Sequence, residues 1–254
     1  MARVHAPELE DEPWFPRPLR DSLTAFLRVS SEKLRVFNAA GPVLREVIER
    51  SATKRVVDLC SGGGGPLLSI LDDLPGVEAV LTDLYPNVDA FSYAEKRLPG
   101  RMRGHRESID ATNVPENLDG VRTVFNALHH FRPELARKIL EDAARKKQPL
   151  CVFEVVERHP LAFAVIAAVP LAVLAFTPFT QPNALRLVLT YAVPVIPLAT
   201  GWDGFASCLR SYSVDELHAL ADTVKVDGYS FRVGQSERGG LVPMRVTWLI
   251  GEPW

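Results

Sequence analysis

A chain of 254 residues has room for one α/β domain with an insertion and does not demand a second core. Its net charge of −2, with 47% hydrophobic and 24% charged residues, describes an ordinary globular protein and gives no reason to expect a nucleic-acid partner. Cys60, Cys151 and Cys208 are odd in number and far apart, so they propose neither a disulfide framework nor a zinc site; no metal ligands are assigned, and a reduced cytoplasmic protein is expected.

The chain opens on an extended arm containing Pro7, Pro13, Pro16 and Pro18. Glu8, Glu10, Asp11 and Glu12 lie there without an apolar run, so no secretory signal is expected. Asp21 or Ser22 then caps a helix with Leu23, Phe26 and Leu27 on one face. A second helix starts at Pro42 and turns Val43, Val47 and Ile48 towards a core. Residues 1–50 read as a helical arm that partly closes a ligand site.

From Arg55 onward, short apolar runs alternate with helical stretches, the pattern of a parallel sheet buried on both faces. Strands are expected at Arg55–Leu59, Glu78–Thr82, Arg103–Ser108, Arg122–Asn126 and Leu150–Val156, with a helix over Pro133–Lys146. The basic run Arg101, Arg103, His105 and Arg106 reads as a solvated loop or strand edge. Further on, Ser213 caps a helix whose first turn carries Asp215 and Glu216. The tail reads as two antiparallel strands, Val224–Val233 and Leu241–Leu249, joined by the turn Gly234–Gly240.

The strongest local motif is Val56-Val57-Asp58-Leu59-Cys60-Ser61-Gly62-Gly63-Gly64-Gly65-Pro66, which passes from an apolar strand into a helix. Glycine lets a ligand approach the backbone closely, and N–H groups at a helix start donate to polar ligand atoms. Asp83 closes the next apolar run, about 20 residues beyond Gly62, the spacing at which an acidic side chain holds ribose hydroxyls.

On these residues the chain resembles the class I S-adenosyl-L-methionine (SAM)-dependent methyltransferases over Arg55–Val156 and again in the closing strand pair. Their first motif is similar to Asp58–Gly64, their acidic second motif to Asp83 and their third to Asp110-Ala111. The resemblance implies a Rossmann-like α/β fold: a seven-stranded, mostly parallel sheet with a C-terminal antiparallel pair, carrying here an apolar helical insertion. It implies SAM as cofactor, with Asp58, Ser61, Gly62 and Gly64 around the methionine part, Asp83 on the ribose, Leu84 against adenine, and Asp110 with Ala111 at the adenine amino group. Asn126, ending the fourth strand, is placed on the same cofactor side. Cys60 departs from the family pattern, standing where the first glycine is commonest, and reads as a small buried residue rather than a catalytic thiol. A nicotinamide-dependent oxidoreductase shares the glycine turn and the acid but is disfavoured by the antiparallel tail.

Ligands of open α/β sheets lie beyond the carboxyl ends of the strands, which brings Asn126–Pro133 beside the cofactor. Either His129 or His130 is then a candidate general base; the alternative is that they cap or pack beneath the following helix. Glu154 and Glu157 end the fifth strand and either orient an acceptor or are solvated. Trp202, Asp203, Arg210 and Tyr212 form an acceptor rim or anchor a turn.

Between Pro160 and Thr200 the only charged residue is Arg186. Two apolar arms, Leu161–Phe176 and Ala184–Ala199, flank Thr177–Asn183. Sixteen helical residues reach about 24 Å, short of a hydrocarbon core of roughly 30 Å, and Pro170, Pro194 and Pro197 interrupt the arms, so a regular two-helix span is disfavoured. The segment reads as a lid, a membrane-surface contact peripheral to the bilayer, or a homodimer interface. The organisation is a cap (1–50), a SAM-binding core (51–158), an apolar insertion (159–212) and the end of the core sheet (213–254). The expected function is methyl transfer to a small or medium lipophilic acceptor, on oxygen. A SAM-binding but non-catalytic assembly or membrane-attachment protein is the other reading.

Overall fold

The computed structural model describes residues 1–237 and 244–254. In chain order the elements are α1 (Arg17–Leu34), α2 (Ala40–Arg50), β1 (Arg55–Leu59), α3 (Gly65–Ile70), β2 (Glu78–Leu81), α4 (Val88–Arg97), β3 (Met102–Gly104), β4 (Val121–Phe125), α5 (Pro133–Arg145) and β5 (Leu150–Glu154). The insertion supplies α6 (Pro160–Ala167), α7 (Val169–Phe176), α8 (Ala184–Leu187) and α9 (Val195–Arg210). It is followed by α10 (Val214–Asp222), β6 (Tyr229–Gln235) and β7 (Thr247–Pro253). The strands form one sheet in the order β3-β2-β1-β4-β5-β7-β6. β1 to β5 pair in parallel, and β7 is antiparallel to both β5 and β6, so six of the seven strands share one direction. This is the mixed seven-stranded α/β sheet expected from the sequence. The antiparallel β7 separates it from the six-stranded parallel dinucleotide fold.

Alternation sorts neighbouring residues to opposite faces, as the period of two requires. Val56 and Cys151 join one core with Leu67, Phe91 and Phe153, whereas Val57 and Val152 join another with Ile139, Leu140 and Leu217. A third cluster binds the arm and α1 to the insertion through Phe15, Leu23, Phe26, Val173 and Ile196.

Several element boundaries differ from expectation. Helix α1 begins at Arg17, not at Asp21 or Ser22, because Pro18 is tolerated in a first turn that needs no N–H partner. Ser22 is inside the helix, donating from Oγ to the Pro18 carbonyl, and Asp21 lies 3.6 Å from Arg17. Helix α2 starts at Ala40 rather than Pro42. Strand β3 is Met102–Gly104 rather than Arg103–Ser108; after His105 bonds the Leu81 carbonyl, the chain turns so that Ile109 N–H reaches the Asp83 carbonyl. The final strands lie later than predicted, at Tyr229–Gln235 and Thr247–Pro253, so Gly234 is paired in β6 instead of opening a turn. Of the expected turn and last strand, 238–243 lie outside the described residues.

Pro170 falls where the first apolar arm divides into α6 and α7 at Ala168. It occupies the second position of α7, immediately after α6 ends, where its missing N–H costs no helix bond. The helical stretch Pro160–Thr180 is still 21 residues, long and apolar enough to cross a membrane, and only 17% of its most apolar window is buried. In the second arm α8 continues as a π turn over Val188–Ala192, then bends by 74° into α9, which runs on to Arg210 rather than ending at Ala199.

Candidate active site

The loop after β1 is built around two kinds of glycine. Gly64 has φ +68° and its missing Cβ would stand 2.8 Å from Leu81 Cδ1, so both conformation and space exclude a side chain. Gly65 instead permits a close approach: a Cβ there would meet the Arg28 backbone of α1 at 2.7 Å. Part of the glycine content thus seats α1 over the loop. Cys60 adopts φ +55°, the left-handed region for which the commoner glycine is suited. Burial, followed by the charge of Asp83, raises its thiol far above the usual range, so it stays protonated.

Asp58 is buried and faces β4, where its Oδ1 accepts from Thr123 Oγ1 at 2.6 Å. Its main-chain carbonyl accepts from both Ser61 Oγ and Thr82 Oγ1 at 2.8 Å, fixing the loop exit. Asp83, ending the β2 run, accepts from Gly62 N–H at 3.0 Å and Tyr85 N–H at 2.9 Å. Burial raises its carboxyl, and those N–H donors oppose the shift. The Asp110 loop is tied to the Asp83 loop by Ile109 N–H to the Asp83 carbonyl and by Ser108 Oγ to the Leu84 carbonyl at 2.7 Å. Asp110 accepts from Thr112, Ala111 is buried beside it, and Leu84 is exposed. The structure therefore gathers Gly62, Asp83, Leu84, Asp110 and Ala111 at one sheet edge. The basic run nearby is structural: Arg101 donates to the carbonyls of Leu71, Leu74 and Val77, and Arg106 pairs with Glu95.

At the end of β4, Asn126 turns with φ +49° and accepts from Val155 N–H through Oδ1. His129 follows, fully buried, with Nδ1 2.6 Å from Glu154 Oε2. Glu154 is no solvated strand end: it is buried and its other oxygen accepts from Leu128 N–H at 2.7 Å. His130 lies 3.0 Å from Asp11 through Nδ1. Both Nε2 atoms turn to Glu8, at 3.8 Å for His129 and 3.6 Å for His130. Burial alone would lower the His130 pKa, but the Asp11 bond and the charges of Glu8 and Asp11 outweigh it and raise it to about 9.

Glu8 and Asp11 arrive from an arm more than 100 residues away in sequence, and α9 holds that arm in place. Asp203 accepts from Leu9 N–H at 2.6 Å and Glu10 N–H at 3.1 Å. Trp202 donates to the Pro7 carbonyl, while Arg210 donates to the Ala6 carbonyl and pairs with Glu8 and Asp11. Tyr212 bonds the Phe131 carbonyl and lies under the Arg3 guanidinium. These four residues anchor the arm and the histidine loop.

One cavity of about 420 Å³ joins the glycine loop, the histidine loop, the arm and the insertion, while Asp83, Leu84, Asp110 and Ala111 lie outside its lining. Its lining includes Ser61 and Gly62, then Asn126, His129 and His130, then Ile166, Val169 and Ala172 of the insertion. Arg28, which the sequence reading missed, also lines it; its guanidinium lies over Tyr93, and among the described residues its buried Nη1 has no hydrogen-bond partner. In the sequence Arg28 sits off the Leu23, Phe26 and Leu27 face of α1 and carries no signal of its burial.

No known family profile matches the sequence, and neither does any curated protein. Among solved structures, the plantazolicin methyltransferase BpumL, bound to a triazolic desmethylPZN analogue and SAH, is 12% identical, with a TM-score of 0.60 over 97% of each chain. BamL, a plantazolicin methyltransferase in a complex of the same kind, is 13% identical, with a TM-score of 0.60 over 96% of this chain and 94% of that one. The chain has the class I methyltransferase fold. A putative O-methyltransferase from Nostoc punctiforme is 13% identical, with a TM-score of 0.53 over 98% of this chain and 64% of that one.

Proposed function

We propose that the chain is a SAM-dependent methyltransferase acting on a small or medium lipophilic acceptor, with oxygen as the methylated atom. A shared fold does not specify chemistry. The observation that carries the reading is the single cavity bounded by the glycine loop, the histidine pair and the inner side of the apolar insertion. Ser61, Gly62 and Gly64 surround the methionine part, with Asp58 supporting their loop and Asn126 beside them. Asp83 takes the ribose, while Leu84, Asp110 and Ala111 enclose adenine. Arg28, with an unpaired buried N–H group on the cavity, is the partner for the methionine carboxylate.

Either His129 or His130 is the base for the acceptor's proton, His130 only after losing its own because its pKa is raised to about 9, while alignment with the methyl group drives transfer. The acceptor enters along the insertion, where each buried methylene contributes about 0.8 kcal/mol. The outer side exposes Leu171 and Leu198 by 69% and 65%, which supports peripheral contact with a membrane from the cytoplasm. A homodimer burying this side is the competing occupant.

Calorimetry should detect binding of both SAM and SAH, and methyl-labelled SAM incubated with a lipid extract should label a single compound. Tight NAD binding without either ligand would overturn the cofactor assignment. Binding of SAH with no transfer to lipid, small-molecule, protein or RNA pools would leave the non-catalytic reading ahead. His129→Gln or His130→Gln should lower turnover far more than SAH affinity; unchanged turnover in both and in the double variant removes the pair from catalysis. Flotation with liposomes that is lost on deleting Thr177–Asn183 supports the membrane contact, whereas protection of the insertion only in a dimer supports the other occupant.

A further inference from the structure

We infer that Glu8, His129 and His130 form a binding site for a divalent transition-metal cation at the acceptor end of the cavity. One ligand atom from each lies within 4.8 Å of the other two. Two imidazoles and one carboxylate are the donor set that holds divalent zinc or iron while leaving coordination positions open. A tetrahedral ion bonded at about 2.0–2.1 Å spaces its ligands by roughly 3.3 Å. Glu8 Oε1 lies 3.8 Å from His129 Nε2 and Glu8 Oε2 lies 3.6 Å from His130 Nε2, so the carboxylate faces both imidazoles through different oxygens, each a few tenths of an ångström beyond that spacing.

The surroundings carry the inference beyond proximity. Metal-bound histidines characteristically donate their other ring N–H to a carboxylate, which fixes the tautomer and turns the free lone pair to the ion. Both histidines have that partner here: His129 Nδ1 meets Glu154, and His130 Nδ1 meets Asp11. Each imidazole, when neutral, thereby presents Nε2 as a lone pair towards Glu8. His129 Nε2 and Glu8 Oε1 are both buried and have no hydrogen bond among the described residues, although Arg210 Nη1 stands 3.2 Å from that oxygen.

Charge points the same way. Among the described residues Glu8, Asp11 and Glu154 meet one guanidinium, Arg210, and protonated His130 offsets part of the remaining negative charge when no cation is bound, a part that a divalent cation would take over. Buried negative charge is costly without a cation or protons to offset it. All three ligand residues line the cavity, so the open coordination positions face the space assigned to the acceptor. There the cation would bind the acceptor oxygen and lower its pKa, as it does for bound water. This role rests on the methyltransferase reading and replaces the histidines' part as base, since an Nε2 bound to the cation has no lone pair left for a proton; the site itself does not rest on that reading.

The test uses the full chain, freed of metal by chelator and dialysed. Co²⁺ titration should produce visible absorption bands that saturate at one equivalent, and Zn²⁺ should compete for the same site. Glu8→Gln and His129→Gln should each weaken Co²⁺ binding at least tenfold while retaining SAH binding, which also reports that they fold. His130→Gln serves as a third variant if either fails that check. Absence of bands and of calorimetric Zn²⁺ binding in the wild-type chain overturns the site, as does equal binding by the folded variants. SAH binding without metal binding removes this inference and leaves the proposed function standing; metal binding without SAH binding does the reverse.

Discussion

The two ends of the candidate site are built on different principles. At the cofactor end, the glycine loop, Asp83 and Asp110 follow consecutive strands, and their hydrogen bonds join neighbouring loops of one sheet edge. At the acceptor end, Glu8 and Asp11 come from the arm, the histidines from the loop after β4, Glu154 from β5 and the anchors from α9. The first is an attribute of the sheet; the second exists only when the arm is docked. Substitutions should therefore separate them.

The largest expected effect tests how firmly the cofactor end belongs to the folded sheet. Burial pushes the Asp58 carboxyl up from 3.8 to about 7, against bonds from Thr123 and Ser61 that favour its charged form. A native pKa above the unfolded one means that the folded state holds the proton more tightly. The corresponding stability is fully present below 3.8 and is lost as pH rises through about 7. Asn in that place still accepts from Thr123 but does not titrate. Asp58→Asn should therefore gain stability relative to wild type between pH 4 and pH 8, by at most about 4 kcal/mol. Urea unfolding across that range measures it, and a pH-independent difference would refute the assignment.

Undocking the arm comes next. Asp203→Ala removes the acceptor for two N–H groups of the arm, so Glu8 loses its position. Turnover should fall about 100-fold, the scale expected when catalytic geometry slips by an ångström, with SAH affinity nearly unchanged. A parallel loss of SAH affinity would show that the two ends are one unit. Asp83→Ala should give the converse: SAH weakened by roughly 10- to 100-fold, from charged hydrogen bonds worth about 1.5–3 kcal/mol, with turnover at saturating SAM retained. Calorimetry and saturation kinetics on the same preparations read both outcomes.

The contrast also explains what the sequence disclosed. Strand, glycine turn and acid lie within about 30 residues, so one supersecondary unit carries the cofactor motif and the sheet order follows from its repetition. The capping box at Ser213 was equally local and is present. Glu8 had no such signal, since nothing in an acidic, proline-rich arm specifies contact with a loop more than 100 residues later. Trp202, Asp203 and Arg210 were ambiguous for the same reason: their partners are chiefly main-chain groups and acids of the arm, which have no periodicity. Arg28 was hidden inside an amphipathic helix, where an arginine reads as solvent-facing until α1 is placed over Gly63 and Gly65. Strand limits slipped where the pairing partner, rather than the apolar run, decides the end, as at β3 and β7.

The smallest effect concerns Cys60, the one departure from the glycine pattern. Its φ of +55° costs a non-glycine residue about 1–2 kcal/mol. Glycine relieves that strain, but it adds about 0.4–1 kcal/mol of unfolded-chain entropy and forfeits the packing of a partly buried side chain against the core beside β4. These terms nearly cancel, so Cys60→Gly should change stability by less than about 1 kcal/mol and leave SAH affinity intact. Cys60→Val keeps apolar bulk but places a β-branched residue in the left-handed region, where it is far less tolerated, and should be clearly destabilised. Thermal unfolding of the three proteins with and without SAH distinguishes backbone from side chain. If Val is tolerated as well as Gly, strain is not what sets this turn. If Gly alone abolishes SAH binding, the thiol contributes to the cofactor end in a way that a passive, protonated side chain does not.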